Sequence, residues 1–199
     1  ETERLIIRDL VEKDASSLYE LICDEPCRQY PFFTGPASID YMQRMIAYFK
    51  RVKEKGLIID NEHPERGILV AICLKETGDH IGVITLGPHP GVSEIQMGWY
   101  ILSRYTKKGY ATEAATAASD FFLEALSLDY ISAGVRADNA ASFRTAQKSG
   151  FKLIEKRLPF TEPEGNWKAR NITELNDYFF RIEDDIKIGA YYYFQKRSR

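Results

Sequence analysis

The chain is poor in the residues that staple small domains or hold metals. Its three cysteines, Cys23, Cys27 and Cys73, include no CxxC pair. A sparse, odd set excludes a disulfide framework and a thiolate zinc site, and reads as buried, inert thiols in a reducing compartment. The three histidines, His63, His80 and His89, stand far apart without HExxH spacing. No metal is expected, and these histidines read as surface residues without a special role. No run approaches the roughly 20 apolar residues that span a bilayer, so no membrane association is expected. The formal net charge is only −2. There is no global basic field to attract nucleic acid, and no nucleic-acid partner is expected. The opening Glu1-Thr2-Glu3-Arg4 lacks the pattern of a secretory signal, and a cytoplasmic location is the expectation.

Apolar residues make up 44% of the 199 residues and charged residues 28%, the balance of an ordinary globular domain. A chain of this length buries a sufficient core without staples. No repeat, low-complexity tract or long linker divides it. It therefore reads as one domain over 1–199, with 157–187 as a variable loop or insertion.

Hydrophobic periodicity gives a coarse element order. Leu5 to Arg8 reads as a strand. Asp14 precedes a helical pattern carrying Leu18, Leu21 and Ile22, ended by Pro26. An aromatic loop spans Gln29 to Pro36, and Ser38 caps a helix with Tyr41, Met45, Tyr48, Phe49 and Val52 at helical spacing. Ile68 to Leu74, His80 to Leu86 and Glu94 to Leu102 read as an antiparallel meander. The period then changes: Ala111, Ala114, Ala115, Ala118, Phe122 and Ala125 mark a helix over about 109–126. A strand at Tyr130 to Val135, a helix from Ala140 to Ser149 stopped by Gly150, and strands at Phe151 to Ile154 and Ile186 to Phe194 complete the chain. Leu175 to Ile182 is ambiguous between helix and strand. The fold class is mixed α/β, of the α+β type.

One turn carries chemistry. A strand ends near Leu102, and Lys107-Lys108-Gly109-Tyr110-Ala111-Thr112 then opens a helix. The first amides of a helix lack intrahelical partners, and the helix dipole adds positive potential there. Gly109 and Ala111 admit a phosphate close to the backbone, and Lys107 and Lys108 add charge. Taken alone, the same turn equally reads as a solvated basic loop. It is neither a Walker loop nor a Rossmann fingerprint, since GxxxxGK[ST] and GxGxxG are both absent.

A second motif, Asn139-Ala140-Ala141-Ser142-Phe143-Arg144-Thr145-Ala146-Gln147-Lys148-Ser149-Gly150-Phe151, follows about thirty residues on. Together the two stretches resemble the GNAT acetyltransferase superfamily. Gly109 and Ala111 match its [Q/R]xxGx[G/A] turn. Asn139, Ser142, Lys148, Gly150 and Phe151 match its NxxSxxxxxKxGF pattern, and Gly98-Trp99-Tyr100-Ile101 resembles its strand end before the turn. Glu3-Arg4-Leu5-Ile6-Ile7-Arg8 resembles the branch that acetylates ribosomal-protein N-terminal alanines. The resemblance covers about residues 3–156. Thr106 departs from it, standing where the family has Gln or Arg.

The resemblance implies a GNAT-like acyl-CoA N-acyltransferase fold, a central mostly antiparallel sheet flanked by helices, with acetyl-CoA as co-substrate. Tyr100, Ile101 and Leu102 match the strand end whose backbone pairs with pantetheine. Lys107 to Thr112 match the pyrophosphate turn. Asn139 matches a pantetheine-side residue and reads equally as a plain helix cap. Ser142 either bonds locally or faces the thioester. Arg144 or Lys148 meets the 3′-phosphate or is simply solvated. The family's acidic Tyr is replaced by Ala146, which leaves Ser142 or one of Tyr191 to Tyr193 as substitutes. An amide near Ile101 is the expected oxyanion donor. Glu94 is the candidate base and shares a strand face with Gln96 and Gly98; a surface carboxylate is its other reading. Tyr30, Phe32, Phe33 and Gln96 are candidates to line the acceptor site, and Trp167 and the loop from Arg157 to Arg170 would form a lid. The acceptor is a small-molecule amine or a protein N-terminus. The alternative function is a non-catalytic acyl-CoA-binding or sensor domain. The chain is expected to be a monomer or homodimer, with Tyr191 to Phe194 either exposed for pairing or inside the sheet.

Overall fold

A computed structural model describes residues 1–29, 38–54, 67–88, 95–157 and 191–198. Its elements are β1 (Leu5–Asp9), α1 (Ala15–Cys23), α2 (Glu25–Gln29), α3 (Ile39–Glu54), β2 (Ile68–Leu74), β3 (His80–Pro88), β4 (Ile95–Ile101), α4 (Tyr110–Ala125), β5 (Tyr130–Arg136), α5 (Ala140–Lys148), β6 (Lys152–Arg157) and β7 (Tyr191–Arg197). The seven strands form one sheet in the order β1-β2-β3-β4-β5-β7-β6. All neighbours are antiparallel except β4 and β5. The α+β class and the mostly antiparallel sheet are those expected.

Helices cover both faces of the sheet, which is why β2 is apolar at nearly every position rather than alternating. Val70 and Ile72 join Ile84, Met97, Ile131 and Phe194 beneath α4 and α5. Leu69, Ala71, Cys73 and Val83 pack with Leu18, Leu21, Met42 and Ile46 beneath α1 and α3. Leu18 and Leu21 are fully buried, and such burial is worth roughly 1.5–3 kcal/mol per side chain. The alanines Ala114, Ala115 and Ala118 bring α4 close onto the sheet, as their spacing suggested.

Local signals explain most boundaries. Ser38 Oγ accepts from the Tyr41 N–H at 3.2 Å and caps α3. Gly78, at φ 76°, makes the turn between β2 and β3. Gly150, at φ 85°, closes α5: its N–H donates to the Gln147 carbonyl, and that of Phe151 to Ala146, the paired bonds of a Schellman cap. Pro26 does not end the first helix. That helix ends at Cys23, and Pro26 lies in the first turn of α2, where a missing N–H costs little.

Three further expectations are corrected or resolved. Cys23 is exposed, because it sits on the outer side of the last turn of α1; Cys27 and Cys73 are buried. Burial pushes the Cys27 thiol up to about 12. His80 is buried, not on the surface. The β2–β3 register jumps from Ile72↔Gly82 to Cys73↔His80. This bulge reverses the alternation, so Ile81 turns to the α4 side and His80 turns toward α1. Finally, β7 lies inside the sheet between β5 and β6, so Tyr193 and Phe194 are core residues. His63, His89 and the segment 175–182 lie outside the described residues.

Candidate active site

The site begins where β4 and β5 part. They share one register pair, Gln96↔Ser132, whereas β3 and β4 pair along seven residues. Ser132 Oγ donates to the Ile95 carbonyl at 3.1 Å beside that pair. Beyond it, β4 continues to Ile101 on β3 alone among the described residues.

The backbone direction along β4 follows from one bond. The Leu102 N–H donates to the Ile81 carbonyl at 2.9 Å. Backbone groups alternate sides along a strand, so those of Gly98 and Tyr100 also face β3. Those of Trp99 and Ile101 face the gap. Of the three residues matched to the coenzyme strand, Ile101 alone directs its backbone into the gap. Leu102 is buried with its N–H engaged, and Trp99, part of the quoted strand-end motif but not among the residues matched to pantetheine, takes its place at the gap. Side chains alternate likewise. Met97 and Ile101 point to the α4 face, while Tyr100 packs on the α1 and α3 side. Gly98 has no room for a larger residue, since a Cβ there would stand 2.7 Å from Thr85 Oγ1.

The chain passes from β4 through a 3-10 turn over Ser103–Tyr105 into the α4 turn. Thr106 Oγ1 donates to the Ser103 carbonyl at 2.8 Å, so this hydroxyl shapes the turn. Lys107 has φ 62° and Gly109 φ 84°. Gly109 caps α4 without a side-chain bond, and the first intrahelical bond runs from the Glu113 N–H to the Gly109 carbonyl. The amides of Tyr110, Ala111 and Thr112 therefore precede the helical ladder, as the first turn of a helix dictates. Lys107 and Lys108 are exposed beside them. This concentrates amide dipoles and positive charge at one end of the gap.

On the other side of the gap, α5 starts at Asn139. Its Oδ1 accepts from the Ser142 N–H at 3.0 Å, so Asn139 is a helix cap. Ser142 is half-buried and Lys148 exposed. Ala146, at the position of the family's Tyr, is fully buried. Ser149 Oγ donates to the Thr112 carbonyl at 3.3 Å and ties α5 to the first turn of α4. Tyr192 packs edge-on against Phe143, at 4.8 Å between ring centres. The Tyr193 hydroxyl accepts from Gln195 Nε2 at 2.9 Å.

The α1–α2 side is fastened to the same region. Asp24 accepts from the Ser103 N–H at 2.6 Å and from its hydroxyl at 2.8 Å. Arg104 pairs with Glu20, and Arg136 Nη1 at the end of β5 donates to the Gln29 carbonyl at 3.4 Å. Glu94, Tyr30, Phe32, Phe33, Tyr191's side chain and Trp167, with the lid segment after Arg157, lie outside the described residues. No cluster of potential metal ligands occurs among the described residues, and no described helix is long and apolar enough to cross a membrane.

An open strand end lies beside a lysine-flanked helix N-terminus without a side-chain cap, an arrangement that suits a phosphate-bearing ligand with an extended arm. Residues 4–152 match the family model described as the acetyltransferase (GNAT) domain. The chain belongs to the GNAT acetyltransferase family. It is 28% identical over 155 residues to an uncharacterized N-acetyltransferase, YoaA, of Bacillus subtilis (strain 168), covering 76% of this chain and 81% of that one. Among solved structures, it resembles the ribosomal-protein-S5-alanine acetyltransferase of Vibrio fischeri, at 14% identity and TM-score 0.68, covering 99% and 94% of the two chains. It also resembles Mycobacterium smegmatis RimJ, solved in complex with CoA-disulfide, at 17% identity and TM-score 0.66, covering 98% and 82%. At these identities the two structures speak for the fold.

Proposed function

We propose that this chain binds acetyl-CoA in the β4–β5 gap and transfers its acetyl group to a primary amine, either of a small molecule or of a protein N-terminus. The observation that carries this reading is the single Gln96↔Ser132 pair, which leaves Trp99 and Ile101 facing a gap that leads to the α4 turn. Pantetheine pairs there as an added strand, the amides of Lys107 to Thr112 hold the pyrophosphate, and Asn139, Ser142 and Lys148 border the arm.

The amine attacks as the neutral base, so its ammonium form first loses a proton. Glu94 takes that proton, directly or through water. The Ile101 N–H donates to the developing oxyanion. With Ala146 in place of a phenol, the departing thiolate takes its proton from Ser142 or one of Tyr191 to Tyr193. Gln96, with Tyr30, Phe32 and Phe33, lines the acceptor side. The protein acts in the cytoplasm.

A second reading, a non-catalytic acyl-CoA sensor, draws on two observations: the buried Ala146 and the local engagement of the Thr106 hydroxyl. Free-thiol release from acetyl-CoA with a panel of amines and N-terminal peptides separates the two. Turnover, lowered by Glu94→Gln with little change in the apparent coenzyme constant, supports the first. Coenzyme binding without turnover on any acceptor supports the second, and no coenzyme binding overturns both.

A further inference from the structure

We propose that Arg4 and Glu113 are positioning residues for the coenzyme turn, an inference that rests on the coenzyme reading above. The turn bends through two left-handed residues, Lys107 and Gly109, and α4 has no side-chain cap. A segment far away in sequence holds it. Arg4, just before β1, donates from Nη1 to the Lys108 carbonyl at 3.0 Å. Its guanidinium also pairs with Glu113 in the first turn of α4, through Nε at 2.7 Å and Nη2 at 2.6 Å, and lies 4.7 Å over the Tyr110 ring. Glu113 Oε1 accepts in addition from the Arg4 N–H at 2.9 Å and from the Thr2 hydroxyl at 2.6 Å.

This arrangement does two things. First, it fixes a peptide plane. Across a trans peptide the C=O and N–H point in opposite directions. Binding the Lys108 carbonyl therefore aims the Gly109 N–H away from Arg4. Gly109 fits because its φ of 84° lies in the left-handed region; a Cβ there would meet Arg4 Nη2 only at 3.4 Å, an ordinary contact, so conformation rather than space selects glycine. Second, it settles the charge. A carboxylate in the first turn favours the helix but repels a bound pyrophosphate. Arg4 neutralises it. Burial works against the charged Glu113, but the Thr2 hydroxyl, the Arg4 amide and the guanidinium together outweigh it and hold the carboxyl below its ordinary value.

Loss of Arg4 thus does more harm than loss of Glu113, because it leaves an unpaired carboxylate beside the phosphates. The test is calorimetric titration of the full chain with coenzyme A and, separately, thermal shift with pantetheine, which lacks phosphate. Arg4→Met weakens coenzyme A about tenfold or more, Glu113→Gln weakens it less, and the double variant recovers part of the Arg4→Met loss, while pantetheine is unaffected. Equal coenzyme affinity in wild type and Arg4→Met overturns the positioning role and leaves the coenzyme reading standing. So does parallel loss of both ligands, the mark of general damage. Should Arg4→Met not fold, Arg4→Lys and Glu113→Gln carry the same comparison: the lysine keeps charge but loses the fork, and unchanged coenzyme affinity in both overturns the inference. Wild-type protein that binds no coenzyme A overturns the coenzyme reading itself.

Discussion

Gln96 and Ser132 stand opposite each other at the one register pair that joins β4 to β5. The Ser132 hydroxyl, fully buried, adds a side-chain bond to the Ile95 carbonyl next to that pair. It fastens the two strands at the apex of the gap. Ser132→Val removes this bond and places an apolar branch against a buried carbonyl. We expect a loss of about 1 kcal/mol in urea denaturation, with weaker coenzyme binding as the apex loosens. Wild-type values for both would show that the apex does not depend on this hydroxyl.

Gly109 occupies a left-handed conformation at φ 84°. Any residue with a Cβ is disfavoured there by roughly 1–2 kcal/mol. Gly109→Ala should relax the turn and misalign the amides of Tyr110 to Thr112. Coenzyme A affinity should then fall about tenfold, measured by calorimetry, in a protein that remains folded by circular dichroism. An unchanged dissociation constant would place the phosphates elsewhere.

The elements around this turn were legible because each has a local signature. The alanine spacing of α4, the Asn139 cap, the Gly150 stop and the Gly78 turn are set by residues within a few positions of one another. Arg4 and Glu113 were not, since they meet across a separation of 109 residues through a sheet whose register no local pattern encodes. His80 was misread for a related reason. The run from His80 to Leu86 reads as a strand, but the bulge that turns His80 inward depends on its β2 partners. The direction of the β4 backbone also needed the cross-strand bond to Ile81, which substituted Trp99 for Leu102 at the gap.

His80 Nδ1 lies 2.6 Å from Ser17 Oγ, which also donates to the Asp14 carbonyl. Burial lowers the affinity of this imidazole for a proton; Asp14 and the Gly82 backbone oppose that and do not overcome it. A folded value below the usual 6.5 means that the unfolded chain binds the proton more readily. His80 therefore supports stability fully above about pH 6.5 and loses that contribution as the pH falls through the folded value. His80→Phe should flatten the slope of unfolding free energy against pH between about 7 and 5, measured by urea titration. A slope equal to that of wild type would assign the dependence to other groups.

Asp14 and Arg8 form the most enclosed ion pair among those described. Arg8 Nη1 and Nη2 donate to Asp14 Oδ2 and Oδ1 at 2.6 and 2.9 Å, and the Val11 N–H donates to Oδ2 at 2.8 Å. The Asp14 side chain is 3% exposed and that of Arg8 27%. Burial disfavours the carboxylate, yet Arg8 and the Val11 amide outweigh burial and hold its proton affinity below the ordinary 3.8. Arg8 keeps some contact with water, so removing its partner costs less than in a sealed pair. Asp14→Asn should destabilise the protein by about 2–3 kcal/mol at pH 7. The sign with pH follows from the lowered value: the contribution is present above the ordinary carboxylate range and fades as the pH falls through the folded value. The gap between wild type and Asp14→Asn should therefore be widest near neutrality and narrow in acid. Urea denaturation at a series of pH values measures it. A gap that stays constant into acid would assign the loss to packing at the start of α1 rather than to the charge.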